Sequence, residues 1–364
     1  MKFKIVRSRF LDGLKSVQNI VAGKGSLPIL QNVLLEAKGK ELCMTTTDLD
    51  ISIRSICECE VVEQGSSTIP VKLLFNAVAK VAEGEVQVSV DAHERAEITA
   101  GSAKFKLAGM PAMEFPRLPQ DEDAYAYSIP QATLKEMLRK VAYAASQDDT
   151  RRTLKGVLMS FKDGKLTMVA TDGRRLALVE SENEFPKDAE RDIVLPSKAV
   201  SELQRSLGGE GDVSVLVQKS QVCFKLNNMM IYSKLMDDVY PNYRQVIPRE
   251  TAESIEVDRQ LLLDALDRVS VMTMDEAHST KLIFENGKLT ITSASSDIGE
   301  AKDIVPIKYA GEKIEIMFNP TYVMDALKAI DDDSVIVHIN DGHSPAVIKC
   351  AIPFLYVLMP LRIN

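Results

Sequence analysis

The sequence predicts an α+β protein made of three tandem copies of one two-helix, antiparallel-sheet domain. Three observations carry that prediction. A hairpin motif recurs at lags of 124 and 123 residues, a proline-opened amphipathic segment recurs at lags of 126 and 124, and the 364 residues are close to three such periods. A period this long is a whole domain, since solenoid units run to about 20–50 residues. The copies are expected at 1–120, 127–247 and 253–364, joined by PQDEDAYAYS (119–128) and IPRETAES (247–254), whose acidic and proline-containing runs read as linkers.

The elements follow in the same order in each copy. Helix-like segments come early: FLDGLKSVQNIVA (10–22), ATLKEMLRKVAYAAS (132–146) and QLLLDALDRVSVMT (260–273). In the middle one Leu134, Met137, Leu138, Val141 and Ala145 fall on one stripe at helical spacing. Hairpins come next: KGKELCMTTTD (38–48), DGKLTMVATD (163–172) and NGKLTITSAS (286–295). Asp-Gly and Asn-Gly between alternating strands suit tight turns because both residues tolerate positive φ. Aligning Leu42, Leu166 and Leu289 places Asp48 on Asp172 without a gap. Pro70, Pro196 and Pro320 then each open an amphipathic segment, as proline can at a first helical turn where no N–H partner is lost. Each copy therefore reads strand, helix, several strands, helix, several strands.

Composition excludes several function classes. Apolar residues make up 45% and charged residues 26%, an ordinary globular balance. No run approaches the ~18–20 apolar residues of a membrane span, and MKFKIVRSRF has no apolar stretch resembling a secretory signal. A soluble cytoplasmic protein without membrane association is expected. The cysteines at 43, 57, 59, 223 and 350 contain no Cys-x-x-Cys pair and read as reduced thiols in or near a core. The histidines at 93, 278, 338 and 343 lack zinc-ligand spacing, so neither a metal site nor a cofactor is expected. With Trp absent and aromatics at 5%, a stacking platform for single-stranded nucleic acid is not expected either.

The net charge of −8 hides an uneven distribution. The six helix windows 8–24, 70–81, 131–146, 196–207, 258–273 and 319–330 hold 13 Lys and Arg against 7 Asp and Glu, a balance of +6 that leaves −14 elsewhere. Lys135, Arg139 and Lys140 are read as lying off the apolar stripe, as a surface facing a polyanion requires. Basic residues are also good helix formers that favour helix C-termini, which by itself yields such an excess. The functional reading is a helical surface that meets phosphates without reading sequence.

Motifs of catalysis fail on inspection. AGKGSLP (22–28) has Gly-Lys-Gly-Ser, but a phosphate-binding loop needs a further Gly at position 18, which is Gln. Asp48 and Asp50 in TTDLD have no third ligand and read as a solvated pair or a turn cap. TDGRRLAL (171–178) and DDTRRTLKG (148–156) supply two arginine pairs suited to a carboxylate or phosphate, with no nucleophile–base pair beside them. The terminal FLYVLMPLRIN (354–364) fits either a last core strand or an adaptable apolar surface of Met359, Pro360 and Leu361.

These segments together resemble the bacterial sliding clamps, the beta subunits of DNA polymerase III, along essentially the whole chain. The carriers are LPILQNVLLE (27–36), TTTDLDISI (45–53), FKLAGMPAMEFPRLP (105–119), VATDGRRLAL (169–178), SKLMDDVYPNYRQVIP (233–248) and YVLMPLRIN (356–364). The resemblance implies the clamp fold, a head-to-tail homodimer closed as a ring around double-stranded DNA, helices lining the pore, and no catalysis. It implies that Lys24, Gln147, Lys198 and Arg205 face DNA, and that Phe105 and Leu107 meet Val271 and Met272 across the dimer. It implies partners, among them the polymerase III alpha subunit and the clamp loader, that dock a peptide with Gln, Leu and Phe-type anchors. The implied pocket is Arg151, Leu154, Thr171, Gly173, Arg174, Arg175, Leu176, Pro241, Val246, Ser344, Val357, Met359, Pro360 and Leu361. The sequence departs from familiar members at Arg174, where His is common, at Gln245, where Arg can occur, and at Arg152-Thr153, where two tyrosines occur. The competing readings are an enzyme using the paired arginines on an anionic substrate, and a monomeric repeat scaffold without a DNA role.

Overall fold

The computed structural model describes the chain except residues 22–26, 119–123, 184, 186–188, 251, 273–278, 296–298, 352 and 362–364. The first copy runs β1 (Lys2–Val6), α1 (Arg7–Val17), β2 (Asn32–Lys38), β3 (Glu41–Thr47), β4 (Ile51–Glu58), β5 (Glu60–Glu63), β6 (Gly65–Pro70), α2 (Val71–Lys80), β7 (Glu85–Val90), β8 (Arg95–Ala100) and β9 (Ala103–Ala108). The second runs β10 (Tyr125–Pro130), α3 (Gln131–Val141), β11 (Gly156–Lys162), β12 (Lys165–Thr171), β13 (Arg175–Glu182), β14 (Arg191–Pro196), α4 (Ser197–Ser206), β15 (Asp212–Val217), β16 (Gln221–Leu226) and β17 (Met229–Lys234). The third runs β18 (Glu253–Asp258), α5 (Arg259–Ser270), β19 (Thr280–Glu285), β20 (Lys288–Ser295), β21 (Gly299–Pro306), β22 (Ile314–Phe318), α6 (Pro320–Ala329), β23 (Ser334–Ile339), β24 (Ala346–Lys349) and β25 (Phe354–Leu358).

Local chemistry explains the boundaries. Asp163 and Gly164 both take positive φ (55° and 67°) between β11 and β12, and Gly287 (75°) turns β19 into β20, as the Asp-Gly and Asn-Gly pairs require. Pro320 is the first residue of α6, whereas Pro70 and Pro196 end strands and hand over to helices starting at Val71 and Ser197. α1 and α3 stop earlier than their apolar periodicity, at Val17 and Val141, and finish as 3₁₀ turns. Short 3₁₀ segments are a common way to tighten a helix end.

The strands form four antiparallel sheets in two compact units. Unit 1 (Met1–Ala132 with Ser201–Leu235) holds a five-stranded sheet, β5-β1-β7-β8-β9, and an eight-stranded one, β10-β15-β16-β17-β4-β3-β2-β6. Its core includes Phe3 and Phe10, whose rings meet edge to face at 6.0 Å. Unit 2 (Thr133–Val200 with Met236–Asn364) holds β14-β11-β12-β13-β25-β24-β23-β18 and the four-stranded β21-β20-β19-β22, with Tyr356, Phe161 and Phe284 among its buried side chains. The units cut across the sequence repeat because each eight-stranded sheet continues from one copy into the next. β4 pairs with β17 over Ser55↔Met229 to Ile51↔Ser233, and β13 pairs with β25 over Arg175↔Leu358 to Val179↔Phe354.

All five cysteines are free thiols, and Cys57, Cys59 and Cys223 are buried. Burial pushes the Cys59 thiol up to about 11, so it stays protonated at neutral pH. Among the described residues no cluster of His, Cys, Asp and Glu is placed to hold a metal, and no helix is long and apolar enough to cross a membrane.

Candidate functional site

The site is built on the turn between β12 and β13. Thr171 Oγ1 donates to the Arg175 carbonyl and accepts from the Gly173 N–H (3.1 Å), while Asp172 Oδ1 accepts from the N–H groups of Arg174 (2.8 Å) and Arg175 (3.0 Å). Gly173 sits at φ 85°, and Arg151 Nη1, which donates to the Asp172 carbonyl at 2.9 Å, occupies the space a side chain there would need. The first copy has the same turn 124 residues earlier. Asp48 Oδ1 accepts from Asp50 and Ile51, Thr47 Oγ1 donates to the Ile51 carbonyl, and Leu49 takes φ 79°. Asp48 is therefore the turn cap of its two sequence readings. Only the second copy adds the arginines.

An apolar floor lies beneath this turn. Leu158, Val169, Leu176, Val194, Tyr240, Val347 and Val357 form one buried cluster, flanked by Leu178, Met236, Tyr243, Ile247 and Leu355. Burial pushes the Tyr240 phenol up, so it contributes a neutral ring. Above the floor Met359 (42% exposed) and Val246 (48%) stay open, as does Pro241, while Leu154, Pro360 and Leu361 are half-buried. The terminal segment is held by backbone bonds, Met359 N–H to the Arg174 carbonyl (2.9 Å) and Leu361 N–H to the Met317 carbonyl (2.8 Å). Of the two readings of the C-terminus, both apply in sequence: Phe354–Leu358 is core strand, and Met359 to Leu361 are partly accessible apolar residues. Ser344 is committed to its own loop, with N–H and hydroxyl both donating to Asp341.

Arg175 belongs under the site rather than on its surface. Its guanidinium donates to Asp172 Oδ2 (3.0 Å), Asp325 Oδ2 (2.6 Å) and the Tyr143 carbonyl (2.7 Å), and lies 4.3 Å from the Tyr322 ring centroid. Burial pushes the Tyr143 and Tyr356 phenols up, leaving the two carboxylates to balance the arginine. Sequence reasoning missed Asp325 and Tyr322. The available signal was an acid amid the apolar residues of PTYVMDALKAI, which needs a cation once that helix packs.

The helical cations divide into matched and open groups. Lys140, read as off the stripe, is instead 2% exposed: stem and amine are both buried, and the amine is matched by Glu136 at 3.1 Å. Arg139 is paired with Glu136 and Asp331. Its guanidinium holds the Glu136 carboxyl below the usual range. Among the described residues Lys15, Lys72, Lys80, Lys135 and Lys328 are exposed helix cations outside the ion pairs; of these only Lys135 was singled out from sequence. Lys198 and Arg205 stand on α4 near its two ends, Arg205 paired with Glu202 at 3.0 Å, and Gln147 is exposed beside Asp148. Lys24 lies outside the described residues.

Every sheet ends in strands paired on one side only among the described residues, and β9 and β21 are two of these end strands. On β9 half-buried Phe105 and Leu107 alternate with exposed Lys104 and Lys106. α5 packs on β21, and beyond it Val271 is 60% exposed and Met272 half-buried.

Family models of the DNA polymerase III beta subunit match the chain in order: the N-terminal domain over 1–119, the central domain over 128–242 and the C-terminal domain over 244–362. The beta sliding clamp of Chlamydia pneumoniae is 33% identical, and that of Pseudomonas aeruginosa 30% identical, each alignment covering 100% of both chains. The crystal structure of DNA polymerase III subunit beta from Pseudomonas aeruginosa superposes with a TM-score of 0.96 at 30% identity. A sliding clamp from Bartonella birtlesii, solved bound to griselimycin, superposes at 0.95 and 33%. Both superpositions cover 100% of each chain.

Proposed function

The chain belongs to the family of bacterial DNA polymerase III beta subunits and is a non-catalytic DNA sliding clamp, and from that premise we propose how it closes and how it takes its partners. Two copies join head to tail, β9 of one against β21 of the other, with Phe105 and Leu107 facing Val271 and Met272. The observation supporting this is the register of the seams. β4, β13 and β21 begin at 51, 175 and 299, and β17 and β25, the partners of the first two, begin 126 and 251 residues after β9. The repeat thus supplies three equivalent seam strands and three equivalent partners, and a single chain joins two pairs. A second copy joins the third and leaves no open sheet edge there.

The domains are the repeats 1–120, 127–247 and 253–364. The closed dimer encircles double-stranded DNA in the cytoplasm without regard to sequence, with Lys24, Gln147, Lys198 and Arg205, joined by Lys15, Lys72, Lys80, Lys135 and Lys328, toward the phosphates. Such contacts steer and centre the duplex but weaken with salt; retention is topological. After loading, the protein is expected to stay on closed circular DNA at ~1 M salt, where the screening length is about 3 Å, and to leave once the circle is cut. Equal loss from both forms overturns encirclement.

Partners, including the polymerase III alpha subunit and the clamp loader, insert apolar peptide anchors over Leu176, Val357 and Met359, with the arginine-bearing turn fixing register. Removing Met359 to Asn364 is expected to weaken a Gln-Leu-Phe-type peptide about thirtyfold to several hundredfold, since central apolar anchors contribute about 2–4 kcal/mol. The dimer should survive. Unchanged peptide affinity by calorimetry overturns the pocket.

A further inference from the structure

We propose that Asp267 positions the duplex by repulsion, placing a carboxylate where the other two copies carry a cation and holding the phosphates off the third copy; this rests on the encirclement reading above. The first helices of the three copies align through their buried stripes. These are Phe10, Gly13, Leu14 and Val17 on α1, Leu134, Met137, Leu138 and Val141 on α3, and Leu262, Ala265, Leu266 and Val269 on α5. That alignment puts Lys15, Arg139 and Asp267 at one position, on the face turned away from the core. Lys15 and Asp267 are exposed there. The third copy reverses the charge.

Nothing in the helix itself calls for this acid. Asp267 lies in the last turn of α5, at the negative end of the helix dipole, where a cation is favoured and a carboxylate is not. It also sits one turn from Asp264, a like-charged neighbour, and aspartate is a weak helix former. The other charged groups of α5 have local duties. Asp258 caps the helix by accepting from the Leu261 N–H, and Asp264 accepts from Gln260 at 2.7 Å. Arg259 donates to the Asp332 and Leu327 carbonyls, and Arg268 is paired with Asp303 at 2.7 Å. Among the described residues the Asp267 carboxylate has neither a hydrogen bond nor an ion pair, while its carbonyl accepts from the Ser270 hydroxyl at 2.8 Å. Of the exposed helix cations outside the ion pairs, Lys15, Lys72 and Lys80 belong to the first copy and Lys328 alone to the third. Phosphates are therefore drawn toward the first two copies and repelled at the third, so the duplex is steered without being gripped on every side.

The test titrates a short DNA duplex into the full-length protein over a range of salt. At about 0.1 M salt Asp267→Asn is expected to bind about three- to tenfold tighter than the unaltered protein, since a ring loses two exposed like-charge contacts. Asp267→Lys should steepen the fall of log affinity with log salt by about 2 per ring, one new phosphate contact for each chain. Asp267→Glu should keep the unaltered affinity and slope. Glu63→Gln, which removes an exposed acid on β5, controls for net charge and should leave affinity unchanged. Binding by Asp267→Asn no tighter than by Glu63→Gln overturns the proposal. So does its conversion to a monomer by ultracentrifugation, which would assign the carboxylate to the seam beside Val271. Both outcomes leave encirclement standing. Equal loss of the loaded protein from circular and cut DNA overturns encirclement itself, and this positioning with it.

Discussion

Phe105→Arg is expected to convert the protein from a species of twice the 40.2 kDa chain mass to a monomer at micromolar concentration. The residue stands half-buried on a strand whose outer neighbours, Lys104 and Lys106, are already cationic. A third positive charge at this position has no acid facing it in the strand, and closing the seam would strip it of water. Burying an unmatched charge costs about 3–5 kcal/mol, which weakens the dimer about a hundredfold to several thousandfold. Met272→Asp should do the same from the opposite edge. Analytical ultracentrifugation decides it, with the melting temperature as the control, since both side chains are partly exposed in the single chain. Intact dimers from both variants would move the seam elsewhere.

Arg175→Ala is expected to lower the melting temperature by roughly 10 °C, the shift that about 3–5 kcal/mol produces in a domain of this size. The arginine side chain is 10% exposed, and it bridges Asp172 (15%) and Asp325 (28%). Without it two carboxylates face each other's field in a poorly solvated site, and the peptide turn loses the anchor behind it. Arg175→Lys should recover only part of the loss, because an ammonium cannot fork between two acids and a carbonyl. Adding Asp325→Asn to Arg175→Ala should also restore stability. A melting temperature unchanged by Arg175→Ala would mean the network contributes nothing.

What the sequence made legible was local or periodic. Asp163-Gly164 announced a turn because few other residues tolerate two positive φ angles in a row, and Gly173 and Gly287 did so because glycine takes a positive φ without strain. The lag of 124 residues aligned Asp48 with Asp172, two turns that share their hydrogen bonds. What was illegible depended on contacts distant in sequence. Nothing around Arg175 distinguishes it from Arg174, yet one is buried on Asp325 and the other exposed. Lys140 looked like surface because composition cannot show that a long aliphatic stem lies against the core. The seam of β4 with β17 joins segments with no pairing signal in either, and it emerged only from the sheet order.

That sheet order also bears on how the chain comes off the ribosome. Ser55 pairs with Met229 and Leu176 with Val357, so β4 and β13 are synthesised long before the strands that cover them. At bacterial elongation rates each waits on the order of ten seconds as a bare edge. A nascent chain is then most open to mispairing with a neighbour on the same messenger, and holdase chaperones would find their natural substrate there. Slowing translation between codons 60 and 228 should lengthen that exposure.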